Sequence, residues 1–339
     1  MLKFAIHKLI KKENLTEEEM IQAMNAIMEG NAPSSQIGSF LTALRMKGEN
    51  VDEITGGAKV MREKALKVTV NNEYAVDPVG TGGDGVHTFN ISTLVSIVTA
   101  ASGVKVVKHG NRSVSSKCGS ADVLESLGVN IQLTPVQVKK CVDEIGIGFM
   151  FAPRFHEAMK NVIKPRKELG FRTIFNLLGP LTNPALVKNH VLGVYDPNLT
   201  ELMANVLKNL GSRNALVVHG LDGLDEITIT TETKVTELKN NEIFTYYIRP
   251  KDFNFSMGKI EDLVGGAPGD NANILLSILE GEQGPKRDIT LLNAGAAIYV
   301  GGQANTLTEG IEKAKQSIDQ GLALNKLTQL ITLSKEFIS

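Results

Sequence analysis

From about residue 75 onward, short β-rich runs alternate with helical runs along the chain. The β-rich runs are VKVVKHG, IGFMFA, HVLGVYD and NALVVHG, and the runs between them include STLVSIVTAASG, SADVLESLG and LTELMANVLKNLG. The alternation predicts an α/β fold with a mainly parallel sheet flanked by helices, because parallel strands need crossovers long enough to hold a helix. ITITTETKVTELKNNEIFTYYI then alternates by twos around Asn240-Asn241 and predicts an antiparallel hairpin added to the sheet. The pattern does not predict the strand order.

Residues up to about 68 are predicted to contain helices alone. TEEEMIQAMNAIMEG begins with a capping box from Thr16 to Glu19 and closes on Gly30. The segments SSQIGSFLTALRMKG and NVDEITGGAKVMREKA carry similar start and stop signals. Their apolar faces are too few for an independent core, so we expect this small helical unit to pack on the rest of the chain or on a second subunit.

Composition and charge exclude several classes of protein. Among 339 residues, 42% are hydrophobic and 36 Lys and Arg balance 37 Asp and Glu, which argues against a disordered chain and against a basic nucleic-acid binder. The two cysteines, Cys118 and Cys141, form neither a disulfide framework nor a metal-ligand cluster, which favours a reducing compartment. No run approaches the ~18 apolar residues of a membrane span, and the first residues lack a signal-peptide core. We therefore expect a cytoplasmic protein with a small-molecule partner.

The segment VGTGGDGVHTFNIST contains a cluster of glycines, at Gly80, Gly82, Gly83 and Gly85. Glycines can adopt positive φ and let backbone N–H groups approach an anion closely. Asn90 or Ser92 can cap a following helix whose positive end faces the same point. The segment thus has the outline of a phosphate cradle, although it has neither the Walker sequence nor the spacing of the dinucleotide fingerprint. Taken alone, it is equally compatible with a tight strand-to-helix turn.

A second polar loop, KHGNRSVSSKCGSADVLE, follows the predicted strand VKVV. Its residues Lys108, His109, Asn111 and Arg112 therefore emerge at the carboxyl end of the sheet, where open α/β sheets bind ligands. Cations, hydroxyls and a glycine together predict a second anion site beside the first. The ordinary alternative is a solvated polar loop, in which His109 is a structural hydrogen-bonding residue.

A third segment, VVHGLDGLDEIT, places Asp222, Asp225 and Glu226 after another predicted strand. Adjacent carboxylates at this end of a sheet are oxygen donors suited to Mg²⁺, which commonly bridges protein carboxylates to substrate phosphates. By itself the segment is more often a solvated acidic turn. Two phosphate cradles with an acidic pair together predict a diphosphate ligand bound with a metal.

These segments, together with RTIFNLLGPLTNP at 172–184, resemble the anthranilate phosphoribosyltransferase family in order and spacing across most of the chain. HGNR followed by GSADVLE is far more specific than any run of glycines. The resemblance implies a homodimer of two-domain subunits with the nucleoside-phosphorylase-like architecture. The small helical domain would comprise 1–68, joined by 169–188, and the large α/β catalytic domain would comprise 69–168 and 189–339.

The resemblance also implies the residues that bind phosphoribosyl pyrophosphate. The matching positions are Gly80, Gly82, Gly83, Asp84, Thr88, Asn90, Ser92, Thr93, Lys108 and Ser120. The partner of Asp84 is left open. The implied metal ligands are Ser92, Asp225 and Glu226, and the implied cofactor is Mg²⁺ with two ions per subunit.

For anthranilate, the positions implied by the resemblance are Gly80, His109, Asn111, His156, Arg166 and Pro180. Arg166 is the expected partner of the substrate carboxylate, because a planar guanidinium suits a planar carboxylate. The sequence departs from the family at Glu157, where a proline is expected after the histidine. This departure concerns the shape of the loop, since Arg166 itself is retained.

The implied reaction makes departure of pyrophosphate from the ribose the difficult step. The aromatic amine of anthranilate is neutral at pH 7, so we expect no catalytic base and no nucleophilic role for His109 or Cys118. Backbone donors, Lys108 and Mg²⁺ would stabilise the leaving group.

Three alternatives stay open at this stage. A pyrimidine nucleoside phosphorylase, which uses free phosphate, is disfavoured by Asn111, Arg112 and Arg166. A phosphoribosyltransferase with another aromatic amine is a second possibility. The third is a non-catalytic relative that binds nucleic acid or regulates a partner, which the net charge of -1 and the intact DGLDE segment disfavour.

Overall fold

The computed structural model describes residues 1–71, 73–83, 86–113 and 118–338. Asp84 therefore lies outside the described residues, as do Gly85 and the loop serines Ser115 and Ser116.

The chain begins with the small helical unit. Its helices are α1 (Leu2–Ile10), α2 (Glu17–Met28), α3 (Ser34–Lys47) and α4 (Val51–Lys64). The predicted capping box of α2 is confirmed: Glu19 N donates to Thr16 Oγ1 at 3.2 Å, and Thr16 N donates to Glu19 Oε2 at 2.9 Å. Asn50 and Glu53 form the same reciprocal pair at the start of α4. The two capping boxes satisfy N–H groups that a helix start leaves without internal partners.

The rest of the chain is organised around one seven-stranded sheet. Its strands are β1 (Val76–Gly80), β2 (Val106–Gly110), β3 (Ile147–Phe151), β4 (Asn189–Gly193), β5 (Asn214–Gly220), β6 (Thr233–Lys239) and β7 (Glu242–Ile248). The order is β3-β2-β1-β4-β5-β6-β7, in which the first five strands are parallel and the β5–β6 and β6–β7 pairs are antiparallel. The predicted mainly parallel sheet and its hairpin are confirmed. Asn240 and Asn241 both have positive φ, 51° and 64°, as tight hairpin turns require.

Further helices follow β1 along the chain. They are α5 (Ile91–Ala101), α6 (Ser120–Ser126), α7 (Pro135–Ile145), α8 (Ala152–Phe155), α9 (Lys160–Leu169), α10 (Ile174–Leu178), α11 (Leu199–Asn209), α12 (Pro268–Leu279), α13 (Pro285–Val300), α14 (Leu307–Asp319) and α15 (Leu322–Lys335). Single 3-10 turns lie at Glu157–Met159, Gly179–Leu181, Pro250–Phe253, Ile260–Leu263 and Glu336–Ile338. The prediction of a small helical part beside a larger α/β part is confirmed.

The two faces of the sheet belong to different hydrophobic clusters. On β4 and β5, Val191 and Val218 pack into a cluster with α5, α13 and α14, while Leu192 and Val217 pack into a cluster with α1–α4 and α11. The second cluster also contains Ile174, Phe175, Leu177, Leu178 and Leu181 from the segment 169–188. The small helical unit thus buries its apolar faces against the sheet and α11, and has no core of its own.

No helix among the described residues is both long and apolar enough to cross a membrane.

Candidate active site

The glycine-rich segment follows β1, which lies between β2 and β4 in the sheet. Gly80 ends the strand and pairs with Gly193, the last residue of β4. Thr81 N donates to Gly193 O at 2.9 Å, and the chain then turns through Gly82 and Gly83 with φ of 66° and 76°. These left-handed conformations are the physical reason for glycine at both positions.

Asp225 packs against this turn. Gly82 N donates to Asp225 Oδ2 at 2.7 Å. A Cβ at Gly80 would lie 2.3 Å from Asp225 Oδ2, and a Cβ at Gly193 would lie 1.6 Å from Asp225 O. Burial raises the pKa of Asp225, and the bond from Gly82 opposes that rise. The structure therefore brings the predicted metal ligand Asp225 onto the predicted phosphate loop, and glycine at 80 and 193 makes the contact possible.

Asp222 does not share this position. Its carboxylate accepts hydrogen bonds from the hydroxyls of Thr228 and Thr230 and from Leu224 N. These bonds stabilise the turn after β5. Asp222 therefore does not belong to the acidic pair at the sheet edge, which consists of Asp225 and Glu226. The same turn explains why β6 begins only at Thr233, although alternation in the sequence starts at Ile227.

Lys108 is a buried cation beneath the glycine segment. Only 4% of its surface is exposed, and its Nζ donates to Pro78 O at 2.7 Å and to Ser92 Oγ at 3.2 Å. Burial lowers the pKa of Lys108, while the negative charges of Asp77 and Glu226 oppose that shift. Lys108 thus links β1, the start of α5 and the acidic pair, which brings predicted donor and metal residues to one place.

The donor set fits Mg²⁺. Within the described ranges, no three His, Cys, Asp or Glu side chains converge on one point. The predicted ligands are instead one hydroxyl, of Ser92, and two carboxylates, of Asp225 and Glu226. Magnesium commonly takes one or two carboxylates and completes its shell with water and substrate phosphates, so this sparse oxygen set is suitable.

The start of α5 contributes further polar groups. Asn90 Nδ2 donates to Cys118 O at 3.1 Å and so joins the first polar loop to the second. Thr93 Oγ1 is buried and has no hydrogen-bond partner among the described residues. Thr88 forms a bridge with Val264, which fixes the approach to the helix. An uncommitted hydroxyl at a helix N-terminus is suited to an anionic ligand.

The described part of the second loop folds onto the start of α6. Ser120 Oγ donates to Asn111 O at 3.3 Å, and a Cβ at Gly110 would lie 2.2 Å from Ser120 Oγ. Arg112, predicted as a cation of the second anion site, instead pairs with Asp122 and Glu125. These carboxylates hold the exposed guanidinium at the start of α6, and its place in an anion site stays a prediction.

Two buried histidines meet on the other side of β2. The rings of His109 and His156 have centroids 4.9 Å apart. The backbone of Gly179 influences the pKa of His109, and that of Thr182 influences the pKa of His156, so both histidines lie beside the 3-10 turn that contains Pro180. Burial lowers the pKa of His156 to about 4 and that of His109 well below its usual value. Three predicted anthranilate positions therefore lie together, with both imidazoles neutral at pH 7.

Arg166 lies on α9, and its Cζ is 5.2 Å from the centroid of the Phe175 ring. The residue is half-buried, burial lowers its pKa, and it forms no ion pair within the described part of the chain. Glu157, at the departure from the family pattern, is exposed in the 3-10 turn before α9. Asn111 is also exposed. Among the described residues, no hydrogen bond joins Arg166 to either histidine.

Sequence reasoning missed two residues of this region. Gly193 and Arg172 border the glycine turn, but each acts through a partner distant in sequence. The sequence signal that could have identified Gly193 is its position at the end of HVLG. For Arg172 the signal is its position as the first residue of RTIFNLLGPLTNP.

Family models match both parts of the chain: a glycosyl transferase family helical bundle domain at residues 3–65 and a glycosyl transferase family α/β domain at residues 72–324. The chain is 62% identical over 336 residues, 99% of each chain, to the anthranilate phosphoribosyltransferase of Alkaliphilus metalliredigens. It is similar to the crystal structure of that enzyme from Thermus thermophilus, with a TM-score of 0.92, 41% identity and coverage of 98% and 99% of the two chains. It is also similar to the Saccharomyces cerevisiae enzyme in complex with PRPP and Mg, with a TM-score of 0.91, 30% identity and coverage of 99% and 98%.

Proposed function

This chain belongs to the anthranilate phosphoribosyltransferase family, and we propose that the glycine turn, Lys108 and the Asp225–Glu226 pair form its donor site. The activity is that of a pentosyltransferase of tryptophan biosynthesis: the phosphoribosyl group of phosphoribosyl pyrophosphate passes to the amine of anthranilate, and pyrophosphate is released. The observation that carries the site proposal is the bond from Gly82 N to Asp225, which joins the phosphate loop to a carboxylate suited to Mg²⁺.

Mg²⁺ is the proposed cofactor, held by Ser92, Asp225 and Glu226, with two ions per subunit. The relative from Saccharomyces cerevisiae in complex with PRPP and Mg supports the choice of metal. The ions would supply positive charge to the pyrophosphate as its bond to the ribose breaks.

The chain's own groups stabilise the leaving group in this proposal. The Lys108 ammonium is fixed before the reaction, so it can stabilise developing charge without reorganising, and Gly82 and Gly83 form the turn beside it. Gly80, Thr88, Asn90, Thr93 and Ser120 complete the proposed donor site, together with Asp84, which lies outside the described residues. Lys108 is already bonded to Pro78 and Ser92, which keeps its Nζ in one position.

The acceptor site is proposed beside the His109–His156 pair, with Gly80, Asn111, Pro180 and Arg166. Neutral imidazoles next to the Pro180 turn provide an apolar wall for an aromatic ring. Arg166 supplies the cation for the carboxylate. Because the amine of anthranilate is neutral at pH 7, the site needs no base, and holding the two substrates in line is its main contribution.

We further propose that the protein is a cytoplasmic homodimer that associates through the small helical unit. Its helices leave large apolar side chains exposed, among them Phe4 at 51% and Met46 at 79%. Exposed apolar groups on one part of a surface are typical of subunit contacts.

The function is tested by mixing the protein with phosphoribosyl pyrophosphate, Mg²⁺ and anthranilate and following anthranilate fluorescence. We expect fluorescence to fall only when all components are present, and pyrophosphate to appear in equal amount. Consumption of a pyrimidine nucleoside with free phosphate, without loss of anthranilate, would contradict the assignment and favour a nucleoside phosphorylase.

A further inference from the structure

Arg172 is a charged residue at the glycine turn to which the reaction described above gives no role. It precedes Thr173, the N-cap of α10, and is half-buried. Its guanidinium forms no ion pair and no side-chain hydrogen bond with the described residues. Arginine presents five N–H donors, so a half-buried guanidinium that has no acceptor among the described residues is suited to an anionic ligand.

A face of the Arg172 guanidinium lies against Gly83. A Cβ at Gly83 would be 2.9 Å from Arg172 Nη2 and 3.2 Å from both Cζ and Nε. Three atoms of the group are thus almost equally close to one point on the turn, which places its flat face there. The absence of a side chain at Gly83 therefore makes room for Arg172, in addition to allowing the positive φ.

Tyr195 provides a second stacking surface. Arg172 Cζ is 4.2 Å from the centroid of the Tyr195 ring, a distance typical of a cation–π contact. Tyr195 is itself tied to the turn, because its N donates to Thr81 Oγ1 at 3.2 Å. Contacts through its faces leave the in-plane N–H groups of the guanidinium available to a ligand.

Arg172 and the proposed metal ligand Asp225 contact the same turn. The guanidinium of Arg172 lies against Gly83. Asp225 in turn accepts the hydrogen bond from Gly82. Arg172, the two glycines and Asp225 therefore form one cluster at the carboxyl end of β1.

We infer that Arg172 is a further binding residue for the pyrophosphate group of the donor substrate, held in place by Gly83 and Tyr195. The inference rests on the proposed donor site and adds to it a guanidinium from the segment that precedes α10. A planar guanidinium can bind two phosphate oxygens at once, which an ammonium such as that of Lys108 cannot do. It would bind both the intact donor and the released pyrophosphate.

The experiment measures the Kd of pyrophosphate, and separately of phosphoribosyl pyrophosphate, by calorimetry with Mg²⁺ present. For Arg172→Ala we expect the Kd of both ligands to rise at least about tenfold, the size of one charge-assisted hydrogen bond, with an unchanged melting temperature. Arg172→Lys should recover only part of the affinity. Tyr195→Phe should bind like the wild type, because it keeps the ring, whereas Tyr195→Leu should bind more weakly.

The matched control is Arg213→Ala. Arg213 also stacks on a tyrosine, with Cζ 5.0 Å from the Tyr74 ring centroid, but it precedes β5 at the opposite end of the sheet. We expect this variant to bind both ligands like the wild type. Unchanged affinities in Arg172→Ala, or equal losses in Arg172→Ala and Arg213→Ala, would overturn the inference. If the wild-type protein itself binds neither ligand, the proposed donor site fails, which is a distinct result.

Discussion

Lys108 shows how the donor site depends on burial and charge at a single residue. An ammonium that is 4% exposed is costly unless it is bonded and paired. Burial lowers its pKa, and the charges of Asp77 and Glu226 oppose that shift. Its bonds to Pro78 and Ser92 hold the Nζ in one position beside the proposed donor site.

The metal role of the acidic pair can be tested with isosteric amides. We expect Asp225→Asn combined with Glu226→Gln to lower kcat and to raise the Mg²⁺ concentration needed for half-maximal rate. Folding should be nearly intact, because an amide oxygen can still accept from Gly82 N. Steady-state rates over a Mg²⁺ titration measure both effects.

The control for this pair is Asp143→Asn combined with Glu144→Gln. Those neighbouring acids lie on α7 and form ion pairs with Lys139 and Lys140 on the surface. Their removal should leave the Mg²⁺ dependence unchanged. A normal Mg²⁺ requirement in the Asp225–Glu226 variant would show that the pair does not hold the metal.

At the acceptor site, we expect Arg166→Ala to raise the KM for anthranilate at least about tenfold, the loss of one charge-assisted hydrogen bond. The KM for phosphoribosyl pyrophosphate and the melting temperature should change little, since the donor loops are untouched. Kinetics with each substrate varied in turn provide the measurement. Lys164→Ala is the control, because Lys164 is an exposed cation on the same helix that forms an ion pair with Glu168. An equal rise in both KM values would indicate a general effect on site shape.

At the scale of elements, local signals predicted most helices and the hairpin, and long-range contacts account for what they missed. The alternating pattern identified β2–β5, but β1 was not among the named strands because Asp77 and Pro78 interrupt its apolar run. Asp77 is tolerated in the core since it accepts from His109 N and from Asn183 Nδ2, which lie 32 and 106 positions further along the chain. No local pattern predicts such partners.

The site residues also divide into those that a local motif predicts and those that depend on long-range contacts. Residues in continuous motifs, such as Lys108 and Asp225, were predicted, and the structure brings them together. Arg172 and Gly193 were missed because their roles depend on Gly83 and on the Asp225 backbone, which are distant in sequence. The ion pairs of Arg112 with Asp122 and Glu125 were not predicted, because those partners lie on the following helix.

The packing of α4 on α2 gives a prediction for one element pair. A Cβ at Gly56 would lie 2.7 Å from the backbone oxygen of Glu17, which cannot move without displacing α2. We expect Gly56→Ala to lower the free energy of unfolding by about 1–3 kcal/mol, as overpacked positions do. Gly38→Ala on α3 is the control: nothing lies within 4 Å of its Cβ, so the better helix propensity of alanine should stabilise the protein by about 0.5–1 kcal/mol. Urea unfolding measures both, and a stabilised Gly56→Ala variant would contradict the packing argument.

For the whole molecule, buried neutral histidines predict a loss of stability in acid. His190 is 1% exposed, its Nε2 bonds to Val187 O, and its Nδ1 has no partner among the described residues. Burial and the charge of Arg62 lower its pKa to about 3. Between about pH 3 and pH 6.5 the unfolded chain therefore binds the proton that the folded chain does not, so stability falls as the pH falls through this window.

We expect His190→Gln to make stability less dependent on pH by up to about 1.4 kcal/mol per pH unit in that window. Urea unfolding between pH 4.5 and pH 7.5, at about one-unit steps, gives the slope. The pKa of Asp77 is raised to about 6, so this carboxyl makes stability rise as the pH falls. Asp77 is present in the wild type and in the variant, so its effect cancels in the comparison. The control is His7→Gln, a change at an exposed histidine, which should keep the wild-type slope. A wild-type slope in His190→Gln would contradict the prediction.

Assembly is predicted to be dimeric through the small helical unit. Sedimentation velocity at micromolar concentration should show a dimer, and Phe4→Glu with Met46→Glu should shift it toward monomer, because charges would replace exposed apolar groups on α1 and α3. Val136→Glu is the control, since Val136 is 76% exposed on α7, away from that unit. A strictly monomeric and fully active wild-type protein would contradict the prediction.

The shared cluster of the small helical unit, α11 and one face of the sheet has a consequence for how this protein can evolve or be recombined. Two family models divide the chain between residues 65 and 72, but side chains of β4, β5 and α11 complete the interior of the first part. A chimera that takes its bundle from a distant relative and its remainder from this chain would join two surfaces selected separately. Such exchanges should succeed only when Leu192, Val217 and their neighbours on α11 are inherited with the bundle.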